Sequence, residues 1–227
     1  MIIAIDGPAG SGKSTIADEL ARRFGFTKLD TGAMYRTVAH VSASRGVDLD
    51  DEGAVGDVAR ALDIRFEKRP DRMHVLADGV DVTREIRTPA TDRIVSKVSA
   101  YPSVREAMLG CQRAFAAGRD VVAEGRDIGT VVFPDAELKV FLTADPAERA
   151  RRRVLQRHPE GAPDADALAR EVEETLADLR RRDELDAQRA CAPLRAADDA
   201  VRIDSTTHSI DEIVERIGAL ADARRDA

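Results

Sequence analysis

The stretch Gly7-Pro8-Ala9-Gly10-Ser11-Gly12-Lys13-Ser14 decides the fold, because it matches the pattern GxxxxGK[ST] in full. In front of it, residues 1–5 form a short apolar run that predicts a buried strand. Behind it, Ile16 and Leu20 recur at helical spacing, and Gly25 predicts the end of that helix. A glycine-rich turn between a strand and a helix indicates a phosphate-binding loop (P-loop), and this context argues against a chance match.

The chemistry of such a loop follows from its residue types. Glycines let successive backbone N–H groups point inward at phosphate oxygens, and the helix N-terminus adds partial positive charge. Lys13 is expected to reach the β- and γ-phosphates, and the Ser14 hydroxyl is expected to ligate Mg²⁺. We therefore predict a nucleoside triphosphate as the ligand and Mg²⁺ as the cofactor. The residues predicted to bind this nucleotide, ATP in a kinase, are Gly7, Pro8, Ala9, Gly10, Ser11, Gly12, Lys13, Ser14 and Thr15.

Composition narrows the class of protein. A chain of 227 residues can bury one good core with small excursions. Its 35 basic and 42 acidic residues give a net charge of −7, which disfavours a nucleic-acid or membrane-surface binder. Cys111 and Cys191 lack metal-ligand spacing and are interpreted as ordinary small packing residues in a reducing cytosol. With no leader-like or bilayer-length apolar run, we predict a cytoplasmic monomer without membrane or nucleic-acid partners.

Strand-like and helix-like segments alternate along the chain, which predicts a parallel sheet covered by helices. The predicted fold class is α/β: a P-loop three-layer α/β/α arrangement around a central, mostly parallel five-stranded sheet. Between about Ile64 and Arg87, alternating residues around Asp78-Gly79 predict a small antiparallel β insert. Five arginines between Arg149 and Arg157 predict a basic helical lid, although a solvated helix face is the simpler alternative.

The P-loop alone does not say what is done with the nucleotide. A GTPase is expected to carry an Asn-Lys-x-Asp guanine reader, and this chain contains no Asn. An ATP-driven motor or switch usually needs a longer chain with partner-coupling elements. Of these classes of P-loop protein, a small kinase is the one that fits the sequence.

Two further motifs carry a resemblance to a known family. Asp30–Arg36 (DTGAMYR) and Glu124–Asp135 (EGRDIGTVVFPD) resemble the signatures of bacterial cytidylate kinases. The β insert and the runs VSAYPSVRE, RRDELDAQRACAPL and DSTT agree with it, in the same order along essentially the whole chain. The resemblance implies transfer of the γ-phosphoryl group of ATP to CMP or dCMP. It also implies one kinase domain over residues 1–227, with an acceptor-binding insert at about 31–118 and a lid at about 148–167.

The resemblance also assigns roles to individual residues. Thr31 would contact the acceptor ribose, Arg36 and Arg126 the acceptor phosphate, and Asp127 the sugar and the base. A carboxylate suits the exocyclic amine of cytosine and would repel the carbonyl of uracil. The full set of residues implied to bind CMP is Thr31, Arg36, Ser96, Arg105, Arg126, Asp127, Arg182, Asp186 and Arg189.

Ordinary structural explanations compete with several of these assignments. Arg36 could simply pair with a surface carboxylate, and Ser96 could be a helix-surface hydroxyl. Arg182, Asp186 and Arg189 stand at i, i+4 and i+7, so they would share one face of a continuing helix, where weak surface ion pairs are common. The predicted catalytic residues are Lys13, Arg126, Arg149, Arg153 and Arg182. Of these, Lys13, Arg149 and Arg153 would stabilise charge on the transferring group, and Arg126 and Arg182 would hold the acceptor.

Two other functions compete with this interpretation. A P-loop kinase for a small hydroxyl compound or dephospho-coenzyme A would share the P-loop and the lid. A nucleotide-sensing module would bind ATP without transferring phosphate. The sequence leaves the order of preference among CMP, dCMP and UMP open.

Overall fold

The computed structural model describes residues 1–70, 73–158, 161 and 163–225. In chain order the strands are β1 (Ile2–Asp6), β2 (Thr27–Asp30), β3 (Ile64–Lys68), β4 (Met73–Ala77), β5 (Val80–Asp81), β6 (Val121–Gly125), β7 (Leu138–Thr143) and β8 (Val201–Asp204). The helices are α1 (Lys13–Phe24), α2 (Thr31–Ser44), α3 (Glu52–Ala61), α4 (Pro89–Val98), α5 (Pro102–Ala116), α6 (Pro146–Arg157), α7 (Ala165–Gln188) and α8 (Ile210–Arg225).

Two compact units make up the chain. The first contains Met1–Leu29 and the residues from Gly118 onward, and the second contains Asp30–Ala117. The single kinase domain with an acceptor-binding insert, expected from the sequence, stays a prediction.

A five-stranded sheet in the order β2-β6-β1-β7-β8 organises the first unit. Parallel pairing joins β6 to β1, β1 to β7 and β7 to β8, with Ile3 opposite both Val122 and Leu138. Helices flank the sheet, and a continuous aliphatic core fills the space under α1 and α8. Its largest fully buried members are Ile3, Ile5, Ile16, Leu20, Leu138, Leu142, Ile203 and Ile217. The predicted fold class is confirmed.

Local signals set the ends of the first strand–turn–helix unit. Ile16 and Leu20 are buried on one face of α1, as their spacing predicts. Gly25 closes the helix with a φ of 69°. Much later in the chain, a capping box begins α8, since the Ser209 amide donates to Glu212 and the Glu212 amide donates to the Ser209 hydroxyl.

A three-stranded antiparallel sheet, β3-β4-β5, forms part of the second unit together with α2–α5. Asp78 and Gly79 have φ values of 49° and 81°, the positive angles of a two-residue hairpin turn, so the predicted hairpin is confirmed. The sequence interpretation missed α3. Its start carries a recognisable signal, because the Asp51 side chain accepts a hydrogen bond from the amide of Ala54.

Two predictions about local structure are wrong. The helix α7 ends at Gln188, and Arg189 adopts an extended conformation, so Arg189 does not continue the helical face of Arg182 and Asp186. Cys111 and Cys191 are free and exposed, so they are not packing residues.

The predicted lid at about 148–167 includes Pro159, Glu160 and Ala162, which lie outside the described residues.

Candidate active site

The P-loop joins the carboxyl end of the central strand β1 to the first turn of α1. Gly7, Gly10 and Gly12 all have positive φ, which side chains with a Cβ rarely adopt. A Cβ atom on Gly7 would lie 2.0 Å from the carbonyl oxygen of Leu142, and one on Gly10 would lie 3.2 Å from the Cβ atom and the carbonyl oxygen of Arg149. The loop therefore requires glycine for conformation at all three positions, and for space at Gly7 and Gly10.

Lys13 lies inside this loop. Its ammonium donates to the carbonyl oxygen of Pro8 at 2.7 Å, and the side chain is buried. Burial, reinforced by the nearby guanidinium of Arg126, lowers the pKa of Lys13 well below its ordinary value. An anionic polyphosphate bound here would favour the charged form of Lys13, which ties proton uptake to ligand binding.

Ser14, the predicted metal ligand, is exposed on the first turn of α1. The carboxylates of Asp18 and Glu124 lie nearby, each joined to the same neighbour, Lys28. Such oxygen donors fit Mg²⁺, which uses few protein ligands and completes its shell with phosphate oxygens and water. In the described part of the chain, no group of three or more histidine, cysteine or acidic side chains could hold a metal ion.

Asp6 connects the P-loop strand to the loop after β6. Its two carboxylate oxygens accept hydrogen bonds from the amides of Ile128 and Gly129, both at 2.8 Å. Those amides begin the π-helical turn Ile128–Val132, directly after Arg126 and Asp127. Burial raises the pKa of Asp6 to about 6, against the lowering effect of the two amides. The carboxylate thus positions the segment in which two predicted acceptor-binding residues lie.

A buried cluster of charges surrounds Asp186. Arg126 donates to one of its carboxylate oxygens at 3.0 Å, and Arg189 pairs with the other at 3.1 Å. Burial alone would raise the pKa of Asp186, but Arg126, Arg189 and Arg182 together lower it below its ordinary value. The side chains of Asp186 and Arg189 are each only 6% exposed, so this is not the weak surface pair considered above. Asp127 is buried as well.

The lid arginines have different environments. Arg149 is buried. Its Nη1 donates to the carbonyl of Ala9 in the P-loop at 2.8 Å, and its Nη2 pairs with Asp183 at 2.7 Å. Arg153 hydrogen-bonds Gln156 at 3.0 Å. Arg149 therefore does not belong to a solvated helix face.

Sequence interpretation missed the part played by Arg152. Its guanidinium donates to the carbonyl of Ser205 at 2.7 Å and to that of Thr206 at 3.2 Å. The Ser205 hydroxyl in turn donates to the carbonyl of Ser11 in the P-loop. The motif DSTT was noted in the sequence, but no local pattern indicates its contact with the P-loop.

The remaining predicted residues lie in the second unit. Thr31 is buried at the start of α2, and Ser96 is half-buried on α4. Arg36 pairs with Asp92 at 2.6 Å, so the ion pair considered as an alternative is present. Arg105 is buried, and its guanidinium carbon lies 5.2 Å from the ring centroid of Tyr35. Sequence interpretation did not single out Tyr35.

These features define a class of protein: an α/β phosphate-binding protein of the P-loop type. In the described ranges, no helix is long and apolar enough to cross a membrane. A family model described as cytidylate kinase matches residues 3–223. The chain belongs to the cytidylate kinase family.

Individual relatives have the same family name. A protein named cytidylate kinase from Saccharophagus degradans is 47% identical over 225 residues, covering 99% of this chain and 98% of the relative. One of the same name from Pseudomonas paraeruginosa is 49% identical over 218 residues, covering 95% and 93%. A crystal structure of an uncharacterised protein from Eubacterium ventriosum is 14% identical, covers 98% of each chain and has a TM-score of 0.50, which supports the fold alone.

Proposed function

We propose that this chain transfers the γ-phosphoryl group of ATP to CMP or dCMP, giving ADP and CDP or dCDP. The observation that carries the proposal is the P-loop with its buried Lys13 in a member of the cytidylate kinase family. ATP is the donor, and its polyphosphate is cradled by backbone amides of residues 9–15 and by the ammonium of Lys13. The Ser14 hydroxyl would hold Mg²⁺, which would supply neutralisation of charge on the transferring group.

The acceptor requires a second set of residues. In the first unit these are Arg126, Asp127, Arg182, Asp186 and Arg189; in the second they are Thr31, Arg36, Ser96 and Arg105. The arrangement around Asp186 supports the proposal, because a carboxylate that already orders Arg126 and Arg189 keeps both guanidinium groups oriented before a ligand arrives. Asp127 offers cytosine an acceptor for its exocyclic amine.

No general base is required for this reaction. The second pKa of a phosphate monoester is about 6, so the acceptor phosphate is mostly a dianion at neutral pH and is itself the nucleophile. The remaining tasks are in-line positioning and neutralisation of charge. Lys13, Arg149 and Arg153 stabilise charge on the transferring group, while Arg36, Arg126 and Arg182 hold the acceptor.

Water is a competing acceptor, and a lid that closes over both nucleotides suppresses hydrolysis of ATP. We assign this role to α6, which carries the arginine-rich stretch, together with the start of α7. The contact between Arg149 and the carbonyl of Ala9 supports the assignment, because it already joins α6 to the P-loop.

We further propose a monomer in the cytoplasm, with no nucleic-acid or membrane partner. The net charge of −7 disfavours polyanionic partners. Within the described ranges, the exposed large apolar residues are scattered single positions: Val80, Leu185 and Ile210. The two free thiols are typical of a reducing compartment.

The test is ADP release by the purified protein with ATP, Mg²⁺ and a panel of acceptors. The panel contains CMP, dCMP, UMP, AMP and small hydroxyl compounds, with Lys13→Ala as the inactive control. We expect ADP formation that depends on CMP or dCMP. Turnover with a hydroxyl compound in place of CMP would indicate another P-loop kinase, and ATP binding without ADP formation would indicate a nucleotide sensor.

A further inference from the structure

The ammonium of Lys28, on strand β2, lies among four oxygen atoms beside the P-loop. It donates to the Ser14 hydroxyl at 2.8 Å and to the Ser14 carbonyl at 3.1 Å. It also contacts the carboxylates of Asp18 at 2.9 Å and Glu124 at 3.1 Å. The Lys28 side chain is only 11% exposed, so this cation is held in place and largely withdrawn from water.

The Ser14 hydroxyl is also the atom assigned to Mg²⁺. A hydroxyl oxygen that accepts a hydrogen bond from an ammonium already has a positive charge at its lone-pair side. A divalent cation on the same oxygen would be repelled by that charge. The two cations therefore cannot both approach this oxygen closely without a cost in free energy.

We propose that Lys28 competes with Mg²⁺ for the Ser14 hydroxyl and acts as the counter-cation of the P-loop when no metal is bound. The inference rests on the proposed function, since it concerns the same ATP site. The carboxylates of Asp18 and Glu124 hold the ammonium when it leaves Ser14. Lys28 thus weakens the dependence of ATP binding on Mg²⁺.

The coupling between the binding of ATP and the binding of Mg²⁺ can be measured as a ratio of two dissociation constants for ATP. The value in EDTA is divided by the value at saturating free Mg²⁺, and both are measured by calorimetry without acceptor. Lys28→Met retains the aliphatic chain, removes the charge and leaves the two carboxylates in place. We expect ATP to bind more tightly with Mg²⁺, because the competitor is gone, and more weakly in EDTA, because the carboxylates then repel the polyphosphate.

Together these opposite changes raise the ratio by about tenfold, the effect of a typical charge-assisted hydrogen bond. Lys28→Arg, which keeps the charge, should stay within about threefold of wild type by the same reasoning. Lys97→Met removes a surface lysine that pairs with Asp50 and should leave the ratio unchanged. Lys28→Gln provides a second neutral variant with the same expected increase, should Lys28→Met fail to fold.

A merely structural role for Lys28 makes a different prediction. Neutral variants would then bind ATP more weakly in both conditions by a similar factor, leaving the ratio unchanged, and this outcome would overturn the proposal. A neutral variant whose ATP affinities both match wild type would overturn it as well. Failure of the wild type to phosphorylate CMP, with ATP binding intact, would contradict the proposed function but not the competition between Lys28 and Mg²⁺.

Discussion

The hydroxyl of Ser205 donates a hydrogen bond to the carbonyl oxygen of Ser11, 194 residues earlier in the chain, at 3.1 Å. Because a trans peptide holds its C=O and N–H in opposite directions, this bond turns the N–H of Gly12 away from Ser205. Gly12 is the residue before α1, where the phosphate-binding amides of a P-loop are expected. Ser205 therefore positions one peptide of the donor site without itself belonging to the P-loop.

Substitution of Ser205 by Ala should weaken ATP binding more than it weakens catalysis at saturation. The substitution removes the bond that the hydroxyl donates to Ser11 and the one that it accepts from Arg152. We expect a rise in KM for ATP of about tenfold, with kcat changed less. Ser205→Thr retains the hydroxyl and should restore part of the affinity. The matched control is Ser209→Ala, which removes the capping box of α8 and should lower Tm without raising KM for ATP. Equal kinetic effects of the two alanine variants would contradict the positioning role.

Substitution of Arg126 by Ala should abolish most CMP phosphorylation while ATP still binds. The guanidinium is proposed to clamp the acceptor phosphate, and its loss also leaves the buried carboxylate of Asp186 with one partner fewer. We expect kcat/KM for CMP to fall at least about 100-fold, as for loss of a charged hydrogen-bonding partner in a buried site. Steady-state kinetics and ATP calorimetry measure the two effects. The control is Arg216→Ala on the exposed face of α8, and normal turnover of CMP by the Arg126 variant would refute the acceptor assignment.

Substitution of Arg153 by Ala should reduce kcat. Arg153 donates a hydrogen bond to Gln156 on α6 and is assigned to charge on the transferring group. A fall in kcat of about 10- to 100-fold is expected from the loss of one charge-stabilising group. Arg151→Ala, a neighbouring and more exposed arginine, should have little effect. If both variants retain full kcat, Arg153 does not act on the phosphoryl group.

The buried carboxylate of Asp6 should make the stability of the protein depend on pH. Its pKa is about 6 in the folded protein, against 3.8 as the ordinary value. Because the folded value is the higher one, the contribution of Asp6 to stability is complete below about pH 4 and is lost as pH rises through about 6. The loss is on the order of 3 kcal/mol.

Urea unfolding of the wild type and Asp6→Asn between pH 4 and 7.5 measures this contribution. Only the wild type carries this titration, so the difference in free energy of unfolding between the two proteins should change across the range. The wild type should lose stability relative to Asp6→Asn as pH rises. A constant difference across the range would show that Asp6 does not titrate there.

Much of the fold could be predicted because its signals are local. The P-loop, the Asp78-Gly79 turn and the capping box of α8 each depend on residues within a few positions of one another. The resemblance to cytidylate kinases depends on contiguous motifs of the same kind and is confirmed. The roles of the individual site residues stay predictions.

Several of the errors and omissions concern contacts between distant segments or the end of a helix. Arg189 follows the spacing of a helical face, but α7 ends one residue before it. Its pair with Asp186 survives because a residue just past a helix end can still reach back by three positions. Nothing in the local pattern indicates that Arg105 lies over the ring of Tyr35, since α2 ends at Ser44 and α5 begins only at Pro102.

By itself, the sequence determined the family, the α/β architecture and the loop that binds phosphate, because short-range spacing and the alternation of strands and helices encode all three. Only the tertiary structure decided which side chains meet. Strand β1 lies between β6 and β7, and this order places Asp6 against the amides of Ile128 and Gly129. Strand β2 lies beside β6, so Lys28 reaches Glu124 on the neighbouring strand and the Ser14 hydroxyl on α1. Strand order depends on how the whole chain buries its apolar surface, and no local run of residues specifies it.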